Sequence, residues 1–338
     1  MNTPFNHKRI NNAVSVTILG FDGALSSAIT GVADLFSLAG VSWQRFNQQN
    51  TKRCFDVTIA SIDGRAIRCI NRIEIKSQAS IKSIKHCDLL LIPTIAADIT
   101  TVLADNKSLL PHIIRLRDSG CELASNCSGA FFLAEAGLLN DREATTHWGY
   151  SELFAARYPS IKVQANKLIT QSDGIFCAGG GMAWYDLALL LIERYQDRQT
   201  AQETAKSHLI DMQRGNQGVY ANLRSHQQHN DEQIIAAQRF IEQHFKDDVS
   251  VSTVALEVNL SERTLLRRFK KNVGLSPIEY IQRVRLEQAK RLLEADGLSV
   301  AKTANSVGYE DLSSFTRLFK RETGLSPFQY KMKFSKPY

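Results

Sequence analysis

The chain has 338 residues, about twice the size of a typical domain, so two domains are expected, each able to bury its own core. Its 43% hydrophobic and 22% charged residues are ordinary for a globular chain, and the longest apolar run, 187–192, is too short to cross a bilayer. The opening MNTPFNHKRINN has no apolar stretch of the kind a secretory signal needs, which predicts a cytoplasmic protein without a membrane partner. Six cysteines, at 54, 69, 87, 121, 127 and 177, form no C-x-x-C pair and stand among no metal-spaced histidines. Free thiols, no metal and no cofactor are therefore expected. The net charge of +7 is spread over both halves, so clustering rather than bulk charge has to locate a polyanion site.

From residue 14 onward short apolar runs alternate with amphipathic stretches: VSVTILG at 14–20, a helical pattern over 28–39, FDVTIAS at 55–61, DLLLIP at 88–93, a helical pattern over 103–116, and CELASN at 121–126. This alternation predicts βαβ units. In the first helix Ile29, Val32, Ala33 and Phe36 recur at helical spacing, one apolar face to lay on a sheet. The runs VTIL and DLLLI are apolar throughout, as strands covered on both faces must be. Residues 10–198 thus read as an open α/β sandwich. Its last helix, 182–195, is apolar around much of its circumference and is a candidate oligomer contact.

Within that domain CELASNCSGAFFLAEAG, 121–137, reads as a strand, a sharp turn at Cys127 and a helix opened by small residues. Ser125 and Gly129 fill the small positions that a G-x-S-x-G nucleophile elbow requires around its strained centre. A thiol at a helix N-terminus is expected to be acidified. Residues 199–230 read as a helix and linker; from 213 to 231 the sequence is rich in Gln, Asn, His and Gly without a sustained period, which marks a domain boundary.

Residues 231–338 read as short helices separated by turns, and they contain a repeat. LLRRFKKNVGLSPIEY at 265–280 matches FTRLFKRETGLSPFQY at 315–330 with an offset of 315 − 265 = 50, whereas the apolar positions from Val251 match those from Val300 at an offset of 300 − 251 = 49. One extra residue is therefore predicted in the second copy's turn. Each copy reads as a helix, a tight turn and a second helix, with Ser261 a candidate N-cap in copy one. On that second helix Leu265 and Phe269 point inward, leaving Glu262, Arg263, Leu266, Arg267 and Lys270 outside. Copy two presents Ser313, Thr316, Arg317 and Lys320 similarly, with Phe315 and Phe319 inside. An apolar back and an arginine-lined front suit the major groove of double-stranded DNA, where Arg bonds guanine O6 and N7. Residues 277–295, as one helix of roughly 28 Å, would hold the two readers near the spacing of successive major grooves, about 34 Å.

Residues 231–338 resemble the AraC/XylS-type DNA-binding domain, in the portion Ala255 to Phe269 and in the closing GLSPFQY. The resemblance implies a sequence-specific transcription factor with two helix-turn-helix motifs. The front half is similar to the PfpI-like branch of the class I glutamine amidotransferase-like fold, with TTHW at 145–148 and CAGGGMAWYDLALLL at 177–191 as further shared elements. That implies a flavodoxin-like parallel sheet. Catalytic members carry His directly after the nucleophile or an acid near the first strand; here Ser128 follows Cys127, and GFDGAL offers only Asp22. The combination resembles the GlxA-type regulators, which implies no enzyme, a small metabolite sensed by the front domain, a homodimer, and RNA polymerase as a further candidate partner. Candidate ligand-binding residues are Asp22, Cys127, Ser128, His147, Trp148 and Gly180. Trp43, Trp148 and Trp184 offer aromatic faces for an amine, and Gly179 to Gly181 offer amides for a carboxylate. The alternatives left open are a hydrolase or amidase using Cys127 with His147, and a redox sensor acting through Cys127.

Overall fold

The computed structural model describes residues 13–212, 215–220, 229–295 and 298–335. The polar residues 1–12 and the linker positions 213, 214 and 221–228 lie outside them. The chain forms two compact units that divide between Gln217 and Gly218.

In the first unit seven strands form one sheet: β1 (Val14–Leu19), β2 (Phe55–Ser61), β3 (Ala79–Ser80), β4 (Leu89–Ile92), β5 (Glu122–Asn126), β6 (Ile169–Ser172) and β7 (Ile175–Ala178). They run in the order β6-β7-β5-β4-β1-β2-β3. All neighbours are parallel except β6 and β7, an antiparallel pair at one edge. The register follows from apolar matching at the centre, with Val16 beside Leu89 and Leu91 beside Ala124. Every residue of β4 and β7 is buried, which is the reason the central runs are apolar without alternation.

Helix α1 (Ser26–Leu38) buries Ala28, Ile29, Val32, Leu35 and Phe36. The pattern expected over 103–116 is not one helix. It divides into α2 (Ile99–Asp105), a 3-10 turn over Lys107–Leu109, and α3 (Leu110–Asp118). Asn106 turns its side-chain amide onto the Val102 carbonyl at 2.9 Å and ends α2, and Pro111 at the start of α3 has no amide hydrogen to continue the ladder. After α4 (Ala130–Glu135), helix α5 (Ala183–Tyr195) corrects a second expectation. Its Trp184, Leu187, Ala188, Leu189, Leu191 and Ile192 are all buried inside this unit. Its apolar circumference is used at home, between the sheet, α1 and the following helix α6 (Arg198–Ser207).

The second unit is all helix: α7 (Glu232–His244), α8 (Val251–Glu257), α9 (Glu262–Val273), α10 (Pro277–Glu294), α11 (Val300–Ser306), α12 (Leu312–Thr323) and α13 (Pro327–Phe334). Two small cores form. One gathers Ile234, Ile241, Val254, Leu265, Phe269 and Tyr280, the other Leu293, Val307, Phe315, Phe319 and Tyr330. Helix α10 belongs to both, giving Tyr280, Ile281 and Val284 to the first and Leu286, Ala289 and Leu293 to the second. The repeat extends to polar detail: the Tyr280 hydroxyl donates to Glu242 at 2.6 Å, and that of Tyr330 to Glu294 at 2.5 Å.

Helices α1 and α5 approach so closely that a methyl group at Gly31 would lie 2.1 Å from the Trp184 ring. Trp184 is 2% exposed, enclosed in the close-packed core. Gly31→Ala is therefore expected to destabilise the first unit by about 1–3 kcal/mol through overpacking. Denaturant unfolding followed by tryptophan fluorescence checks this, and an unchanged midpoint would contradict the packing.

Candidate nucleic-acid interface and sensing site

The candidate reading faces are built by capping and burial. Ser261 caps α9 by accepting from the Thr264 amide, and Gly274, at φ 77°, ends it in the left-handed conformation. In the second copy Asp311 accepts from the amides of Ser313 and Ser314, and Gly324 at φ 77° ends α12. The two tight turns carry positive φ at Asn259 (54°) and Gly308 (82°), which correspond at the offset of 308 − 259 = 49. The helices behind them start at Glu262 and Leu312, an offset of 312 − 262 = 50. The extra residue therefore lies in the second turn.

With Leu265, Phe269, Phe315 and Phe319 buried, Ser261, Glu262, Arg263, Leu266, Arg267 and Lys270 stand exposed on one helix, and Ser313, Arg317 and Lys320 on the other, with Thr316 half-buried beside them. Two members of the basic cluster are partly engaged. Arg268 faces its own unit, donating to Asp231 at 3.0 and 2.5 Å and to Gln233 at 2.7 Å. Asp231, which also caps α7, is held below the usual carboxylate range chiefly by Arg268. Lys270 lies 3.8 Å from Glu279. Between α9 and α12, α10 is a single helix of 18 residues, roughly 27 Å long at 1.5 Å per residue.

In the first unit Cys127 follows β5 at φ 55°, the strained backbone of an elbow. Two contacts hold it there. The Thr146 hydroxyl donates to the Cys127 carbonyl at 2.9 Å, and the backbone at Gly129 passes so near β4 that a Cβ would lie 2.6 Å from the carbonyl oxygens of Ile92 and Pro93. The thiol is in hydrogen-bonding reach of the Ser128 and Gly181 amides and the Ser128 and Thr94 hydroxyls. These favour the thiolate, but burial outweighs them and pushes the thiol up. The acidified thiol expected from the helix terminus is thus corrected. The Cys127 side chain is also enclosed, being only 4% exposed.

The other sensing candidates divide into those gathered near the elbow and those placed elsewhere. Ser128 donates to the Ile95 carbonyl at 2.7 Å. The His147 ring lies against Gly180, where a Cβ would be 1.8 Å from the ring; its Nδ1 accepts from the Gly149 amide at 2.9 Å, and burial holds it below the usual imidazole value. Among the described residues no hydrogen bond joins His147 to Cys127. Trp148 packs beside His147, ring centroids 5.1 Å apart. Asp22 instead forms an ion pair with Arg68 at 2.6 Å. Trp184 is buried against Tyr185, and Trp43 lies under Lys206.

The Gly180 amide is engaged by a residue of the segment that reads as linker in the sequence. Gln217, 2% exposed, accepts from it at 3.0 Å. The Gln217 amide nitrogen faces the carbonyls of Thr146 (2.8 Å), Ala165 (2.9 Å) and Lys167 (3.3 Å) and the Thr145 hydroxyl (3.1 Å). Thr94, Thr146 and Gln217 were not legible as site residues, since single polar residues in aperiodic segments carry no pattern.

Comparison with known proteins agrees with this architecture. The DJ-1/PfpI family model matches residues 33–193 and a helix-turn-helix domain model residues 254–333. The chain is 26% identical over 284 residues to the HTH-type transcriptional regulator CdhR of Pseudomonas aeruginosa, covering 80% of each. It is 24% identical over 277 residues to the regulator GlxA of Rhizobium meliloti, again covering 80% of each. A solved structure of a Vibrio parahaemolyticus protein described as a transcriptional regulator shares its fold with 58% of this chain over 98% of its own length, with a TM-score of 0.50 at 18% identity. The chain is a DJ-1/PfpI domain followed by an AraC-type helix-turn-helix domain, the make-up of the GlxA-type regulators of the AraC family.

Proposed function

We propose that the protein is a cytoplasmic, ligand-responsive transcription factor whose second unit reads two adjacent major-groove segments and whose first unit senses a small metabolite without catalysis. The observation that carries the DNA-binding part is the pair of exposed polar faces, on α9 and α12, displayed by opposite ends of one helix. In this reading Arg263, Leu266 and Arg267 contact bases in one groove, and Ser313, Thr316 and Arg317 in the next. Arg268 is structural. A second copy of the chain adds another pair of readers at high effective concentration, through a surface other than α5.

The non-catalytic reading rests on Cys127. A nucleophilic cysteine needs a lowered pKa or an adjacent base, whereas this thiol is raised by burial and has no hydrogen bond to His147. In this reading the effector binds at the same elbow, because open α/β sheets take ligands beyond the strand carboxyl ends. The effector competes with the Gln217 amide for the Gly180 amide and the surrounding carbonyls. Chain continuity makes this consequential: Gln217 closes the first unit, while the next residues, Gly218 and Val219, are held in the second, by Lys290 at 3.1 Å and in the core around Phe319. Unseating Gln217 frees the chain at that junction.

Arg267→Ala and Arg317→Ala are each expected to cost roughly 1–3 kcal/mol at the base read and to relax preference there, with melting unchanged. Arg268→Ala is expected to lower the melting temperature of the second unit instead. Binding to a selected operator and to random duplex, alongside thermal melting, separates the two classes. Equal losses on both DNAs for the arginine variants would remove the base-reading assignment.

A thermal-shift screen of small amines, amino acids and carboxylates supplies a ligand for the second test. Gln217→Ala is expected to tighten that ligand's binding, because no side chain has to be displaced, and to shrink its effect on operator affinity, a coupling of typically about 5–150-fold. Unchanged ligand affinity measured by calorimetry would show that Gln217 is not the competing group.

A further inference from the structure

At the end of the sheet opposite the elbow, two cysteines precede neighbouring strands. Cys87 stands two residues before β4 and Cys121 one residue before β5. Their sulfurs are 3.1 Å apart, both side chains are buried, and the strands behind them are held in parallel register by Leu89 beside Glu122. A disulfide bond is about 2.05 Å long and joins backbones already as close as neighbouring strands, so closing it needs the sulfurs to approach by little more than an ångström. The other four cysteines are all buried, and no short sulfur–sulfur contact is described for them.

We propose that Cys87 and Cys121 form an oxidisable dithiol, a modification site for hydrogen peroxide that closes into an intramolecular disulfide. The chemistry uses two thiols and one peroxide. The Cys87 sulfur attacks a peroxide oxygen, the O–O bond breaks, and hydroxide leaves, giving a sulfenic acid. The Cys121 sulfur then attacks the Cys87 sulfur, the S–O bond breaks, and a second hydroxide leaves. The two thiol protons convert the hydroxides to water, so the dithiol loses two electrons and peroxide gains them.

The order of attack follows from the surroundings. Hydrogen bonds from Cys121 and from Thr17 hold the Cys87 thiol below its usual value against the opposing effects of burial and Asp88, with Arg115 adding a favourable charge. Cys121 is raised by its bond to Cys87 and by burial. Position sets the class of oxidant. His86, next to Cys87, is half exposed, so solvent lies one residue away, yet Cys87 is 1% and Cys121 0% exposed. A water-sized peroxide can reach such a pair during local opening, whereas a bulky disulfide such as oxidised glutathione is excluded. The same two strands continue to Thr94 and to Cys127, joined at that end by the Asn126 amide on the Thr94 hydroxyl at 2.7 Å.

The test treats the full-length protein with hydrogen peroxide or with oxidised glutathione, then denatures and alkylates it for peptide mass spectrometry. Peroxide is expected to remove two alkylatable thiols, link the peptides containing Cys87 and Cys121 with loss of two hydrogens, and be fully reversed by dithiothreitol. Glutathione is expected to leave six alkylatable thiols. Cys121→Ser is expected to leave Cys87 as a sulfenic acid that dimedone, present during denaturation, captures. Six free thiols after peroxide, a link through Cys127 or any other cysteine, or a glutathione adduct on Cys87 would each overturn the proposal. The wild-type measurement decides it even if the variant does not fold.

Discussion

The geometry of the DNA-binding half depends on one helix being shared by two cores. Because α10 contributes Tyr280, Ile281 and Val284 to one core and Leu286, Ala289 and Leu293 to the other, neither helix-turn-helix motif can rotate about it without breaking packing. Each small core is anchored to it by the repeated tyrosine, through Glu242 in one case and Glu294 in the other. Ser276 and Pro277 fix where α10 begins: Ser276 accepts from the Glu279 amide, and the Glu279 carboxylate returns a bond to the Ser276 amide. The spacing of α9 and α12 is thus a covalent and helical quantity, set by the chain itself. Preorganisation of this kind lowers the entropy lost on binding.

In the front half the dominant constraint is burial at the elbow. The backbone at Cys127 has the strained conformation that displays a nucleophile, and the surrounding amides are arranged as they would be to stabilise negative charge. Desolvation nevertheless outweighs those bonds, and His147 is turned toward Gly149 and Gly180. A fold that supports catalysis elsewhere is here closed around its own cysteine, with a glutamine amide from the end of the same unit bonded to Gly180 beside it.

How much of this was legible in the sequence depended on periodicity. The central parallel strands β1 and β4 could be read because their apolar runs are buried on both faces, and α9 and α12 because apolar residues four apart leave a continuous polar front; the short strands β3, β6 and β7 were not read. The single-residue shift between copies was legible because both flanks of the turn repeat. What escaped were features without a period: the break at Asn106 and Pro111, the insertion of Gln217, and the pairing of Asp22 with Arg68. Composition also misled where burial decides the outcome. The apolar girth of α5 reads as an oligomer surface until the sheet, α1 and α6 are seen to cover it, and the helix terminus at Cys127 reads as an acidifying field until the thiol is found buried.

The central claim is that one protomer reads two successive major grooves from a fixed spacer. Methylation interference at guanine N7 on a selected operator measures this directly, since the N7 edge lies in the major groove. The account predicts two clusters of interfering guanines per protomer, on one face of the duplex and about one helical turn, roughly 10 base pairs, apart. A single cluster per protomer, or two on opposite faces, would contradict it.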